Sequence, residues 1–568
     1  MCGIPYHAAS NYIRKIISKS QSVAICEQVE SPSDSKGLVK REVVRVITPG
    51  TVIEDDLLKG ESNNFLLSLY RDKEKYGLIF LDVSTGDFMG CSAPSASMME
   101  SEISRMPVRE AVISEGDKEL KEFFQTRFPS IPVTLVDSWY FTVPKASDLI
   151  KDYFSVGTLK GLEIDSLPED VSSSGRLVAY LKDTQKKNRA LFKKFRLYSL
   201  EDGMMLDRNA QENLELVKNQ QDSSKKNTLF EVLDYTDTAM GRRLLHSSIL
   251  RPLTDSVKIR QRLNAVEELL RETDLSMQAG ESLKGMSDME RILARAGFGS
   301  CNARDLLNLK ETLQAIPGLI RVLKAGEAEL LKNITTQLDP LIELTDELEK
   351  ALKESPPLTV KEGGIVKKGY SPDLDELIEI SSGDKKWIST LEETEKKRLG
   401  IPTLKVGYNR IHGYYIEITK AHIDKIPDDY HRKQTLVNSE RYITEELKMR
   451  EDSILGAEER KAALEYKLFT ELREKVTFHT DSLQKNASLI ALIDFLRSLS
   501  LAAQRQGYIK PSVGDYDEID IKDGRHPVVE VNMPVSGFIP NDTKLNSATE
   551  QVMIITGPNM AGKSTYLK

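Results

Sequence analysis

Gln551–Lys568 reads QVMIITGPNMAGKSTYLK, and its second half sets how the rest of the chain is read. Gly557-Pro558-Asn559-Met560-Ala561-Gly562-Lys563-Ser564 fits G-x-x-x-x-G-K-[ST], a glycine-rich loop whose backbone N–H groups wrap phosphate. The run Val552-Met553-Ile554-Ile555 before it has the form of a buried parallel strand. Lys563 to Lys568 after it opens a helix, with Thr565 in its first turn and N–H groups facing the phosphates. In this reading Lys563 reaches the β- and γ-phosphates of ATP, or the β-phosphate of ADP, and the Ser564 hydroxyl ligates Mg²⁺. The competing reading is an accidental glycine turn, and the flanking strand and helix signals weigh against it. A working phosphoryl-transfer site also needs neighbouring parallel strands, a second acidic metal ligand and a group that positions water. The sequence stops shortly after the loop, so the chain is expected to hold part of a nucleotide pocket and not to hydrolyse ATP alone; no catalytic residue is assigned to it.

Composition bounds the rest. A chain of 568 residues, 29 % charged and 40 % hydrophobic, is long enough for about four domains with ordinary cores. The net charge of −8 is no global signature of nucleic-acid binding, so any basic surface is local. Cys2, Cys26, Cys91 and Cys301 show no C-x-x-C pairing; idle thiols in a reducing cytoplasm are expected, not a zinc site or a disulfide framework. No run of eighteen apolar residues occurs, so no membrane span is expected, and MCGIPYHAASNYIRK has no signal-peptide core. Truncation at both ends is expected.

In chain order, residues 1–53 read as a small α/β remnant, with a helix over Asn11–Ser18, strands over Val23–Glu27 and Glu42–Ile47, and a turn at Thr48-Pro49-Gly50. Residues 62–165 read as a second α/β unit with a hairpin of Tyr76–Val83 and Asp87–Cys91. Asp82 and Asp87 are taken as turn and solvent residues, not as a nuclease metal site. From Leu177 to Glu354 the pattern is almost all helical; Ser355–Pro372 breaks it, and Leu374–Leu399 resumes it.

Residues 400–443 change period. Leu404, Val406 and Tyr408 alternate with Lys405, Gly407 and Asn409, and Tyr414, Ile416 and Ile418 alternate with Tyr415, Glu417 and Thr419, a half-buried hairpin. Thr435–Tyr442 is expected to add a strand. Leu455, Ala462, Phe469, Val476, Leu483 and Ile490 then recur every seven residues, predicting one long helix from Glu445 past Leu483, about 58 Å at 1.5 Å per residue. The run before Gly400 is its expected antiparallel partner. Lys396–Arg450 holds 12 Lys+Arg against 7 Asp+Glu, a local positive excess in an acidic chain. On a β tip beside a nucleotide-driven domain, that excess points to the phosphate backbone of nucleic acid.

LKVGYNRIHGYYIEITK (Leu404–Lys420) and RKQTLVNSERYITEELK (Arg432–Lys448) resemble the clamp of the MutS family of DNA mismatch-repair proteins. GRHPVVE (Gly524–Glu530), FIPND (Phe538–Asp542) and TGPNMAGKST (Thr556–Thr565) fit the same family, as do CGIPYHAA, VAICEQVE, VRVITPGT, LDRNAQENLEL and TAMGRRLL upstream. The resemblance covers essentially the whole chain. It implies an α/β multidomain, mostly helical fold: part of a mismatch-binding domain (1–53), a connector (62–165), helical levers (177–399 and 444–508), an inserted β-rich clamp (400–443), and the start of an ABC-type P-loop ATPase domain (511–568). It also implies a nucleoid-associated homodimer that encircles double-stranded DNA, recognises mismatched DNA, and uses ATP to become a sliding clamp that recruits a MutL-type repair protein. By position, Asn559 to Thr565 would hold phosphates, and Phe538 and Ile539 would pack on adenine, an aromatic ring suiting a flat purine face.

Departures from the family pattern matter too. The family's mismatch wedge is a Phe-x-Glu pair, absent from residues 1–53; Phe469-Thr470-Glu471 is read as core and solvent on the seam helix. The chain is therefore expected to bind DNA weakly and without mispair preference, with Arg45 a candidate backbone contact. Where the clamp commonly carries Lys this chain has Val437, leaving Asn438, Lys405 and Arg441 as the candidate DNA contacts. The alternative readings are a MutS-like junction binder of recombination without mismatch reading, and a P-loop ATPase unconnected to DNA.

Overall fold

The computed structural model describes residues 3–4, 8–28, 39–58, 60, 62–138, 142–154, 156–162, 168–185, 195–357, 359–409, 413–533, 537–558 and 562–568. The chain is mixed α/β and about half helical. It divides into two compact units: Met1–Cys301, Glu311–Leu341 and Thr477–Lys568 form one, Asn302–Lys310 and Ile342–Val476 the other.

The first unit begins with α1 (Ala9–Ile17) and an antiparallel pair, β1 (Val23–Gln28) and β2 (Arg41–Ile47), with Val23 opposite Ile47. A buried turn follows, in which Thr51 N–H donates to Thr48 O at 3.0 Å. Gly50 N–H donates to the Glu110 carboxylate at 2.9 Å; a Cβ there would fall 2.7 Å from Leu66 Cδ1, so only glycine lets the turn seat on the next module.

That module is a six-stranded sheet in the order β7-β6-β3-β4-β5-β8. Its elements are β3 (Phe65–Asp72), β4 (Lys75–Asp82), β5 (Asp87–Ala93), α2 (Ala96–Arg105), β6 (Val108–Ser114), α3 (Lys118–Arg127), β7 (Val133–Val136), α4 (Val143–Phe154), α5 (Pro168–Gln185) and β8 (Arg196–Leu197). β3, β6 and β7 run parallel, while β3, β4 and β5 form an antiparallel meander. Both faces are covered, which is why these strands read as continuous apolar runs. Leu66, Ile79, Leu81 and Val112 pack with Ile150 and Leu177, and Leu67, Leu78, Phe80 and Ile113 pack with Met99, Ile103 and Phe124. The sequence pattern assigned Leu177 onward to the helical levers, but α5 belongs to this sheet. Its buried Arg176 donates to Leu69 O and to Val112 O, and a Cβ on Gly175 would overlap Ala146 of α4. Asp82 is buried, not solvent-facing: it accepts from Ser84 N–H (2.9 Å), Asn64 N–H (3.0 Å) and Asn63 Nδ2 (2.9 Å), the last also donating to Asp87. Among the described residues no group of three His, Cys, Asp or Glu could hold a metal. Cys91 and Cys301 are buried and Cys26 is exposed; burial pushes the Cys91 thiol up to about 12.

Short helices follow: α6 (Arg208–Asn213), α7 (Leu229–Leu233), α8 (Ala239–Leu250), α9 (Ser256–Arg271), α10 (Thr273–Leu283), α11 (Met289–Gly297), α12 (Ala303–Leu323) and α13 (Glu329–Gln337). Thr228, Thr238, Asp255 and Asp288 cap α7, α8, α9 and α11. Arg243 of α8 is buried and holds both oxygens of Asp288 (2.6 and 2.8 Å) and Glu290 (2.6 Å).

The second unit contains α14 (Ile342–Ala351), α15 (Pro372–Leu399), β9 (Lys405–Asn409), β10 (Gly413–Thr419), β11 (His431–Thr435), β12 (Ser439–Ile443) and α16 (Glu445–Phe478). Ser371 caps α15, Pro372 opens it, and Gly400 at φ +64 ends it. The antiparallel course of α15 and α16 shows in the Lys385–Glu458 ion pair and in Arg450 lying 5.2 Å from the Trp387 ring centre. A sheet in the order β11-β12-β10-β9 packs Leu404, Ile416, Ile418 and Tyr442 on Ile388 and Leu391 of α15 and on Leu447 and Ile454 of α16. The stretch Thr435–Tyr442, expected as one strand, instead spans the turn of a second hairpin, with Leu436 N–H donating to Ser439 O at 2.9 Å.

The seven-residue seam needs two corrections. Leu455 is 41 % exposed and Ile454 takes its place inward, because a straight helix drifts about 20° per heptad from a strict repeat. The long helix also ends at Phe478 and restarts as α17 (Thr480–Gln506), where the Thr480 hydroxyl bonds Thr477 O and competes with the ladder. Phe469 is core and Glu471 half-exposed, as read. Among the described residues α17 alone is long and apolar enough to cross a membrane by length and composition. Yet its buried Asp494 accepts from Asp237 N–H (2.9 Å) and from the N–H and hydroxyl of Thr238 (both 2.7 Å), and its Asn486 is paired with Asp339. It is a core helix with satisfied polar groups. The first unit closes with β13 (Glu518–Gly524), α18 (Pro527–Asn532), β14 (Asn541–Asn546) and α19 (Lys563–Leu567).

Candidate functional site

Each unit carries one set of the residues singled out from sequence. In the first, β13 and β14 form an antiparallel ribbon with Ile519 opposite Leu545. Phe538, half-buried, and Ile539, 80 % exposed, lead directly into β14. Gly557 and Pro558 are exposed; Asn559, Met560 and Ala561 lie outside the described residues. Gly562 enters α19 at φ +81, a left-handed conformation that glycine adopts without cost, and nothing crowds its Cβ position. The Lys563 ammonium folds back onto Gly557 O across the loop. Ser564 is exposed and its hydroxyl makes no hydrogen bond among the described residues; Thr565 is half-buried. A free hydroxyl beside a loop-spanning ammonium suits a phosphate and a magnesium ion that takes most of its ligands from phosphate and water.

One expectation fails here. Val552–Ile555 is not a buried strand: Val552 and Ile554 are 82 % and 85 % exposed, and no described strand pairs with them. An apolar run becomes a buried strand only when neighbours take its backbone bonds and cover both faces. The sequence also passed over Tyr566. Its phenol lies 2.8 Å from Thr543 Oγ1, 3.1 Å from Asp542 O and 3.3 Å from Met553 Sδ, tying α19 to β14. The only sequence signal for it was an aromatic placed directly after Lys-Ser-Thr. Lys568 pairs with Glu215 at 3.2 Å, and burial together with the Lys568 charge lowers the affinity of His526 for protons.

In the second unit the outer face of the four-stranded sheet carries a cross-strand row. Lys405 is opposite Glu417, Glu417 opposite Arg441, and Arg441 opposite Gln434. Lys405 is exposed and makes no ion pair among the described residues. Arg441 is committed internally: to Glu417 (3.0 Å), to Gln434 (3.0 Å), and over the Tyr415 ring at 4.0 Å. Asn438 and Val437 form the exposed turn between β11 and β12; the Asn438 carbonyl accepts Lys420 N–H at 3.1 Å, leaving its side-chain amide outward. The helices hold this sheet through carboxylates. Glu392 accepts Val406 N–H (3.0 Å), Glu395 accepts the Tyr430 hydroxyl (2.7 Å), and Glu451 accepts Tyr414 N–H (3.2 Å). Arg45, in the first unit, bonds Glu54 at 2.6 Å and is mostly buried.

Family models match the chain in order: MutS domain I over residues 1–56, MutS domain II over 64–193 and MutS domain III over 209–500. Among similar proteins are those named DNA mismatch repair protein MutS from Ruminiclostridium cellulolyticum (44 % identical over 574 residues), Alkaliphilus oremlandii (42 % over 575) and Halothermothrix orenii (42 % over 570). Each match takes in 100 % of this chain but only 65 %, 65 % and 63 % of the relative, so the chain spans about 65 % of the length of the curated relatives it matches. With three domain models matched in sequence, one of them across more than half the residues, the chain belongs to the MutS family.

Proposed function

We propose that this chain serves DNA mismatch repair: ATP-dependent recognition of mispaired duplex DNA, followed by a switch to a sliding clamp that recruits a MutL-type protein, with a homodimer encircling the duplex. In this reading residues 1–53 belong to the mismatch-binding domain, the sheet module is the connector, α15, α16 and the sheet between them are lever and clamp, and residues 511–568 open an ABC-type ATPase domain. Lys563, Ser564 and the loop from Gly557 to Thr565 hold ATP or ADP phosphates, and Phe538 and Ile539 offer an apolar face to the adenine. Magnesium, when bound, neutralises phosphate charge beside Ser564. Lys405 and the Asn438 amide meet the DNA backbone; Arg441 keeps the outer face rigid beneath them.

The observation that carries this reading is a phosphate-loop sequence in the same chain as ordered matches to MutS domains I, II and III. The domain I match over residues 1–56 also supports repair over junction binding. The test is duplex affinity of the intact gene product with and without a mispair, across ATP concentrations. A mispair preference that ATP relaxes is expected; equal affinity for both duplexes at every ATP level overturns the reading.

A further inference from the structure

The base end and the phosphate end of the proposed nucleotide site lie on segments that no described backbone ladder joins. Phe538 and Ile539 run into β14, whereas Lys563 and Ser564 stand on α19, beyond a loop. Among the described residues one side chain bridges them. The Tyr566 phenol has a single proton, best donated to the Asp542 carbonyl (3.1 Å), so the Thr543 hydroxyl at 2.8 Å donates to the phenol oxygen. The Met553 sulfur, 3.3 Å away, closes the third side. Tyr566 N–H also donates to Gly562 O at 3.0 Å, closing the first turn of α19 on the glycine that precedes Lys563. Displacement of the ring would therefore carry Gly562 and Lys563 with it.

We propose that Tyr566 is a positioning residue of the nucleotide site: its phenol pins the phosphate-loop helix to β14, the strand into which the base-side residues lead, and so sets the spacing between the two ends. The inference rests on the nucleotide reading above. Holding two half-sites at the right separation makes binding of the second half intramolecular, so affinity for the joined ligand depends on spacing while affinity for each half does not.

The experiment compares the full chain with its Tyr566→Phe, Thr543→Val and doubly substituted forms, using ADP with magnesium, adenosine alone and pyrophosphate alone as probes. ADP affinity is expected to fall about threefold to tenfold in each single variant, with the double variant no weaker than the worse single. Adenosine and pyrophosphate affinities are expected to stay within about twofold of the parent, which a general loosening of the fold would not allow. Unchanged ADP affinity in Tyr566→Phe overturns the inference alone, as does a parallel loss of pyrophosphate binding. A parent chain that binds none of the three probes overturns the nucleotide reading and this inference with it.

Discussion

Gly413→Ala tests how the four-stranded sheet is mounted on its helices. Gly413 opens β10 at φ +68, and a Cβ built there would overlap the Glu451 carboxylate, which accepts the Tyr414 N–H at 3.2 Å and lies 3.8 Å from Lys433. Alanine in the left-handed region costs about 1–2 kcal/mol. Displacing the carboxylate forfeits a charged hydrogen bond worth about 1.5–3 kcal/mol. The lower ends of the two ranges sum to about 2.5 kcal/mol, or a roughly 70-fold drop in amide protection if the sheet opens locally. Hydrogen exchange of the β10 amides from Tyr414 to Thr419 is the appropriate assay, because a multidomain chain has no single unfolding free energy. In a Glu451→Ala background the same substitution should cost only the backbone term of about 1–2 kcal/mol, since the overlap is gone. Protection within about threefold of the parent, or equal costs in the two backgrounds, would refute the argument that Glu451 anchors the hairpin.

Lys405→Ala should weaken duplex binding and reduce the slope of log affinity against log salt by about one, whereas Arg441→Ala should leave that slope nearly unchanged and loosen the sheet. Burial, and then the Glu169 charge, raise the Asp170 carboxyl to about 7, so the stability it permits is full below about pH 4 and lost as pH rises through 7. Hydrogen-exchange opening free energies of the α5 amides between pH 5 and 8 should show the part of that loss lying above pH 5, about 3 kcal/mol, and Asp170→Asn should flatten it. Arg243→Met removes the cation that Asp288 and Glu290 share, leaving Asp288 only Arg291 at 3.6 Å, and should cost about 3–5 kcal/mol in the hydrogen-exchange opening free energy of the α8 and α11 amides. Burial disfavours the charged Asp288, but Arg243 outweighs it and holds the carboxyl at about 2; the pair's contribution is thus present above about pH 4 and lost as pH falls through 2.

What the sequence determined by itself was local. Period-two alternation in Leu404–Thr419 named Leu404, Val406, Tyr414, Ile416 and Ile418 as inward residues of the hairpin, though not Tyr408, which is half exposed, and the resumed helical pattern of Leu374–Leu399 before Gly400 marked α15, because pleat and helical period are properties of a few consecutive residues. The spacing of Gly557, Gly562, Lys563 and Ser564 likewise put forward a phosphate loop, as an expectation, without reference to anything distant. Only the tertiary structure decided where α5 belongs, since its helical pattern is the same whether it packs on helices or, as here, slides Gly175 against Ala146 and sends Arg176 to strand carbonyls. It alone separated Lys405, which makes no ion pair among the described residues, from Arg441 and Arg45, which pair with Glu417 and Glu54. It also exposed Val552 and Ile554, which the sequence reads as core. The common reason is that a residue's type and period fix which face it occupies, whereas its partner is whatever the folded chain brings to that face.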